Sequence, residues 1–474
     1  MKSCRNSSSP EIFSLKENMV HPGRRLYQWV QSLAGMYPLW GLGLCAVAIE
    51  MCWLAVWWLD FTTTGGLINF ILITFLAGML YSIAIFIVFT VSSTGSSNIV
   101  PRALLWLIVA GGIMFRLSVI ALPPATSDDV YRYLWDGRVS TAGINPYRYP
   151  PQARELEPLR DTVVYPKINH PELRTIYPPL AQVCFAAAYR LAGNALWGIK
   201  GLLFLAECGT LWLLFKLLTG NSASANPLWF VVYAWCPLPI LECGMAAHVD
   251  GLGILFLVLF YLSIQHKRIP LAAVALAGAV LIKLVPVILL LWVWCHLPKT
   301  DRWRFGLIFG TLIVAGYAPF IEFSREVAVI QSLLVYLGTW SFNGPLYGLG
   351  KLLIGGPVSR TLCALGLLYW MWRVSTRVEH LQTAMLGLWF GFFLLTPTVY
   401  PWYLLWLAIT LSWRWSTSGW WWLVSCPVSY LVLVTRLETG IWHESWLAYV
   451  IQYLPLILIG WRDWQSGDWK ISEK

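Results

Sequence analysis

The stretch SDDVYRYLWDGRVSTAGINPYRYPP occupies residues 127–151 and follows directly on an apolar run, LLWLIVAGGIMFRLSVIAL. It holds three aspartates (Asp128, Asp129, Asp136), five aromatic residues, three arginines and three prolines. A chain that has just filled a bilayer span sets its densest polar and aromatic cluster at the end of that span. The placement decides the reading: the flanks are membrane, and the cluster lies where membrane meets water.

Composition agrees. Of 474 residues, 58% are hydrophobic and 12% charged, against about 25% charged in soluble domains. Mean hydropathy is +0.63, and several apolar runs reach the roughly 20 residues that a crossing helix needs. The 30 Trp and 21 Tyr suit membrane interfaces, where amphipathic rings collect. The net charge of +10 is read as loop Lys and Arg setting orientation. No soluble segment carries a basic face interleaved with aromatics, which argues against nucleic acid. The ten cysteines are not spaced as a disulfide framework and include no CxxC. Cys45, Cys52, Cys184, Cys208, Cys295 and Cys363 lie in apolar runs, where the thiol behaves as a small hydrophobe.

Charge threads the chain. The first 30 residues lack the apolar core of a signal peptide, and Lys2, Arg5, Lys16, Arg24 and Arg25 hold them on the cytoplasmic side. Residues 38–59 then lead out, 67–91 return, STGSSNIVPR is an inner loop, and 103–122 lead out again. Residues 123–177 form the longest hydrophilic segment, outside. Lys267 and Arg268, Lys299 to Arg304, Arg373 and Arg377, Arg414, and the tail from Arg462 belong inside. Outer positions follow at 242–250, near 283, at 322–345, 397–402 and 436–445. Two places strain this scheme. Residues 178–194 are short and carry Arg190; residues 269–296 are either two short helices meeting at Lys283 or one long tilted helix. Short or re-entrant segments are favoured, since irregular backbone at depth is tolerated where it lines a cavity. The expected fold is an all-α polytopic bundle of about 11 to 13 helices with a large outer loop containing interfacial helices. Its expected parts are an N-terminal tail (1–37), three leading helices (38–122), the catalytic loop (123–177), the main bundle (178–460) and a C-terminal tail (461–474). No internal repeat is evident.

Within the loop, VYRYLWDGRV sets Val130, Leu134 and Val139 at helical spacing. It predicts an interfacial helix capped by Ser127 or Asp128. Asp128 and Asp129 at its N-terminus are favoured by the helix dipole. Aimed into a cavity, they serve as a general base or hold a divalent cation through hard oxygen ligands; the plain alternative is a solvated loop end. TAGINPY turns the chain at Gly143 and Asn145-Pro146. In NHPELRTIYPPLAQ (169–182), Tyr177-Pro178-Pro179 opens the next helix, where proline fits the first turn. Arg154, Arg160, Lys167, His170 and Arg174 put a positive excess on this loop. An acidic ligand such as a phosphate explains it; a solvated charge run is the bland alternative.

A carboxylate pair in an early outer loop, an interfacial helix, G-x-N-P-Y and then Y-P-P-L at the next span together resemble the GT-C superfamily of membrane glycosyltransferases. The closest likeness is to the bacterial polyprenyl-phosphate-mannose-dependent mannosyltransferases. The resemblance implies that Asp128 is the catalytic carboxylate and Asp129 the second. It also implies a lysine near the donor phosphate. Two extra helices here precede the loop, a pair that preserves orientation.

Other polar residues stand where lipid is expected. ECGMAAHVDGLGILF (242–256) carries Glu242, His248 and Asp250, and ionisable groups at membrane depth are functional candidates. Lys283 in AVLIKLVPVILLL is flanked by apolar residues, with Pro286 to break the helix. The donor phosphate is expected to meet Lys283, His248, Arg132 and Arg174. Asp250, Tyr131, Asp136, Asn145 and Tyr177 are expected in support. TPTVYPWYLLWL (396–407) reads as interface anchors with a share in sugar stacking, and TWSFNGPLY (339–347) as acceptor contacts.

The expected activity is an inverting transfer, of mannose by the resemblance, from polyprenyl phosphate to a lipid or glycan acceptor on the extracytoplasmic side of a bacterial plasma membrane. No cofactor is required; Mg²⁺ or Mn²⁺ on Asp128 and Asp129 is optional. The rival readings are a lipid-linked glycan ligase or polymerase, which would not need the Asp pair, and a secondary transporter, which would show inverted repeats.

Overall fold

In lipid a backbone amide finds no water, so each apolar run must satisfy its own hydrogen bonds as helix. The computed structural model describes residues 37–93, 102–220, 226–321 and 328–465, and they are helical throughout apart from turns and two isolated bridges, Phe342 and Asn343 to Thr398. The expected tails before residue 37 and beyond 465, and most of the inner loop STGSSNIVPR, lie outside the described residues.

Among the described residues six helices are long and apolar enough to cross a membrane: Pro38–Val56, Thr64–Ser92, Arg102–Ile120, Trp197–Thr219, Lys299–Phe320 and Thr417–Thr439. A seventh span results if Pro227–Ala234 and Pro237–Met245, bent by 49°, are counted as one. The expectation of about 11 to 13 helices counted short and re-entrant segments as well. The other apolar runs fold as helices of 10–17 residues, too short to cross alone at 1.5 Å per residue. Proline and buried polar residues cause the shortening. Residues 269–296 are two helices rather than one tilted one: Ile269–Ile282 ends at Lys283, whose backbone is extended, and Pro286 sits in the next turn. Residues 178–194 form Pro179–Ala192, 14 residues long.

The loop helix, Asp129–Thr141, lies against Pro179–Ala192. Val130, Leu134 and Val139 are buried as their spacing predicts, but so are Tyr133 and Trp135 on other sides. The helix is packed within protein rather than laid on an interface. Gly137 permits that approach, because a Cβ there would stand 2.4 Å from the Phe185 carbonyl oxygen. Tyr133 stacks on Phe185 at 4.6 Å. Asp128 is the N-cap by position, but its side chain caps nothing; Ser127 Oγ accepts from the Asp129 amide at 3.3 Å.

Charges inside the bundle are paired. Arg116 meets Glu207 at 2.9 Å with both side chains buried. Its guanidinium also donates to the carbonyls of Gly112 and Ala234, while Tyr233 donates to Glu207 at 2.7 Å. The network joins Arg102–Ile120, Trp197–Thr219 and Val231–Ala234. Lys200 donates to the carbonyl of Ile120 at 2.9 Å, fastening the end of the helix that leads into the loop. Removing one member of a buried pair leaves an uncompensated charge, at about 3–5 kcal/mol. Glu207→Leu is therefore expected to cost that much in detergent unfolding, and the double variant Arg116→Leu/Glu207→Leu to recover most of it.

Candidate active site

Asp250 and Lys283 stand 33 residues apart. Asp250–Gln265 and Ile269–Ile282 form a helical hairpin joined by a tight turn, with Lys267 at φ 55°. Nearly equal arms bring the start of the first helix beside the end of the second. Lys283 Nζ consequently donates to Asp250 Oδ2 at 2.5 Å. Asp250 is fully buried and accepts from Trp406 Nε1 at 2.9 Å through its other oxygen. The ammonium lies 4.6 Å from the Tyr403 ring centroid, a favourable cation–π placement. The Tyr403 hydroxyl hydrogen-bonds that of Tyr336.

His248 enters from an irregular segment. Ile240–Met245 is π-helical, and Ala247 follows at φ 63°, a left-handed conformation that costs a residue with a Cβ. The His248 amide donates to the Glu242 carbonyl at 2.8 Å. The imidazole is fully buried and stacks on Trp402 at 3.9 Å. Trp402 stacks on Tyr400 at 4.4 Å, and Tyr400 on Phe342 at 4.6 Å. Both faces of Trp402 and Tyr400 are thereby covered, so neither ring offers a face on which a sugar could stack. The 339–347 loop is tied down at Asn343, whose amide donates to Glu444 at 2.6 Å.

The loop contributes Asp129. Its Oδ1 accepts from Asn169 at 2.9 Å, and its Oδ2 accepts from Tyr177 at 3.3 Å and lies 3.8 Å from His248 Nδ1. Burial pushes this carboxyl above the usual range, against the pull of Asn169, Lys283 and Tyr177. Asp128 is exposed and, among the described residues, its carboxylate makes no hydrogen bond or ion pair. Arg436 and Lys167 lie within electrostatic reach of it.

Of the residues singled out from sequence, Asp129, Tyr177, His248, Asp250 and Lys283 converge, with Asp128 at the rim. Others are engaged elsewhere. Arg132 is buried against Asp136 at 2.9 Å and donates to the Leu173 carbonyl, while Gln182 donates to the other Asp136 oxygen; this unit holds the loop helix to its neighbour. Asn145 donates to the Phe320 carbonyl. Arg174 reaches Gln331 at 3.3 Å, and the Tyr131 ring carries Lys167 at 4.9 Å. Asn169 and Trp406 were not singled out from sequence, Glu242 was marked only as an ionisable group beside an apolar helix, and Tyr403 only as an interface anchor with a share in sugar stacking. Among the described residues no group of three or more His, Cys, Asp and Glu side chains could hold a metal ion.

A carboxylate pair beside a partly buried lysine, at the end of apolar helices, suits chemistry on a polar group presented at a membrane. Residues 32–298, more than half of the chain, match the family model described as alpha-(1→6)-mannopyranosyltransferase, N-terminal domain, of the MptA/B family. The chain belongs to this family. It is an integral membrane glycosyltransferase of a mannosyltransferase family. The matched segment carries both loop carboxylates, His248, Asp250 and Lys283, while the aromatic residues from Tyr336 onward lie beyond it. No curated protein matches the chain.

The raised Asp129 carboxyl has a consequence for stability. A carboxyl with a higher proton affinity folded than unfolded stabilises the fold most when protonated, and that contribution is lost as pH rises through the folded value. Asp129→Asn is therefore expected to raise the thermal midpoint at pH 7 by a few degrees. The gain should shrink as pH falls into the ordinary carboxylate range, measured by unfolding scans of wild type and variant.

Proposed function

We propose that the protein transfers mannose from a polyprenyl-phosphate donor to a lipid or glycan acceptor, in α-(1→6) linkage, on the extracytoplasmic face of a bacterial plasma membrane. The observation that carries this is the convergence of Asp129 with His248 and the Lys283–Asp250 pair, with Asp128 next to it, in a chain of a mannosyltransferase family. Such an arrangement serves a donor whose headgroup stays at the membrane.

The reaction is a single displacement. The acceptor hydroxyl oxygen attacks the anomeric carbon, the bond from that carbon to the phosphate oxygen breaks, and polyprenyl phosphate leaves with the bonding pair. Asp128 takes the hydroxyl proton; its free, exposed carboxylate can reach an incoming acceptor, whereas both Asp129 oxygens already accept hydrogen bonds. General-base catalysis of this kind contributes roughly a hundred- to ten-thousand-fold. One displacement inverts the centre, so a β-linked donor yields the α product. Lys283 offsets charge on the leaving phosphate as a compact cation, with Asp250 and Trp406 fixing its position. Arg436 and Lys167 add positive charge beside Asp128.

Purified protein supplied with radiolabelled polyprenyl-phosphate mannose and a membrane lipid extract tests the reading. Asp128→Asn is expected to fold normally and to lose at least about a hundredfold in transfer rate; a rate near wild type would remove it as the base. Lys283→Met should raise the apparent KM for the donor more than that for the acceptor. A change confined to the acceptor would refute the phosphate role.

A further inference from the structure

Beneath Asp129 lies a row of buried polar atoms. Glu242 Oε2 stands 3.5 Å from His248 Nε2, and His248 Nδ1 stands 3.8 Å from Asp129 Oδ2. Glu242 Oε2 and both imidazole nitrogens are buried without a hydrogen-bond partner. Orphaned buried polar atoms are costly and rare, and three in line call for a reason. The row is firmly built everywhere except at its loop end. Tyr430 donates to the other Glu242 oxygen at 2.6 Å. The ring of His248 is clamped by Trp402, and the backbone carrying both residues runs through a π-helix and a left-handed alanine, features that concentrate at functional sites.

We infer that Glu242 is a positioning residue which, through His248, sets where Asp129 and its neighbour Asp128 sit above the Lys283–Asp250 pair. Each gap in the row is a few tenths of an ångström longer than a hydrogen bond. The gap at Asp129 closes if the start of the loop helix settles inward by less than about 1 Å, and catalytic hydrogen bonds are often long until substrate binds. With the Glu242 carboxyl group donating to Nε2, the one imidazole N–H is left on Nδ1 for Asp129, so the row draws the loop carboxylates to one depth. Misplacing a reacting group by about 1 Å costs on the order of a hundredfold in rate. The inference rests on the transfer reaction proposed above.

The test is steady-state kinetics of the full chain with polyprenyl-phosphate mannose and the lipid-extract acceptor, with thermal unfolding measured alongside. Glu242→Leu is expected to lower kcat on the order of a hundredfold while the donor KM stays within about twofold. Glu242→Gln, which keeps the length and an acceptor oxygen, should regain about tenfold of that loss. Should Glu242→Leu fail to fold, Tyr430→Phe is expected to lower kcat by roughly three- to tenfold at unchanged donor KM. Wild-type kcat in Glu242→Leu, or in Tyr430→Phe where only that variant folds, would overturn the inference while leaving the transfer reaction intact. So would a loss expressed in donor KM, or one that Glu242→Gln does not relieve. No transfer by the wild-type chain would overturn the reaction itself and this inference with it.

Discussion

A lysine ammonium and an aspartate carboxylate meet at 2.5 Å where one apolar helix begins and the next ends, and the candidate site is arranged around that contact. Neither charge is tolerable alone at such a place; an isolated ion away from water shifts its protonation or distorts the structure until it finds a partner. The pair explains why residues 269–296 do not form one helix. An unbroken helix would carry Lys283 into apolar surroundings, whereas an extended residue there turns the ammonium onto Asp250 and the Tyr403 ring.

The same rule shapes the rest of the interior. Arg116 and Glu207 pair deep among the spans, and Lys200 caps the carbonyl end of the helix that leads into the loop. The loop helix is held by Arg132 and Asp136, paired i to i+4 and joined to the Leu173 carbonyl and Gln182. Polar residues in this protein thus divide by task. Arg116, Glu207, Arg132 and Asp136 fasten elements to one another. Asp128, which is exposed, and His248 and Glu242, each with a buried unpartnered atom, lie together at the candidate site.

That division clarifies which site residues could be read from sequence. Asp128, Asp129, His248, Asp250 and Lys283 stood out as candidates because an ionisable group beside an apolar run is improbable unless something requires it. Arg132 carried the same signal, yet its side chain is engaged in holding the loop helix; composition cannot separate a charge that binds from one that braces. Glu242 was visible but without a role, since its bearing on His248 depends on a π-helical turn that no periodicity announces. Trp402 and Tyr400 looked like exposed anchors, and their faces are closed by a stack that draws on three distant segments.

The sequence by itself determined that the chain is helical and lives in a membrane, because lipid offers a backbone no alternative to internal hydrogen bonding. It also marked the loop after residue 122 as a candidate site, because charge is expensive beside apolar helices. Tertiary structure alone decided how many helices are long enough to cross and which polar residues face one another. Helix length depends on where buried charges force a break. Side-chain pairing depends on distances between segments tens to hundreds of residues apart, which local pattern does not encode.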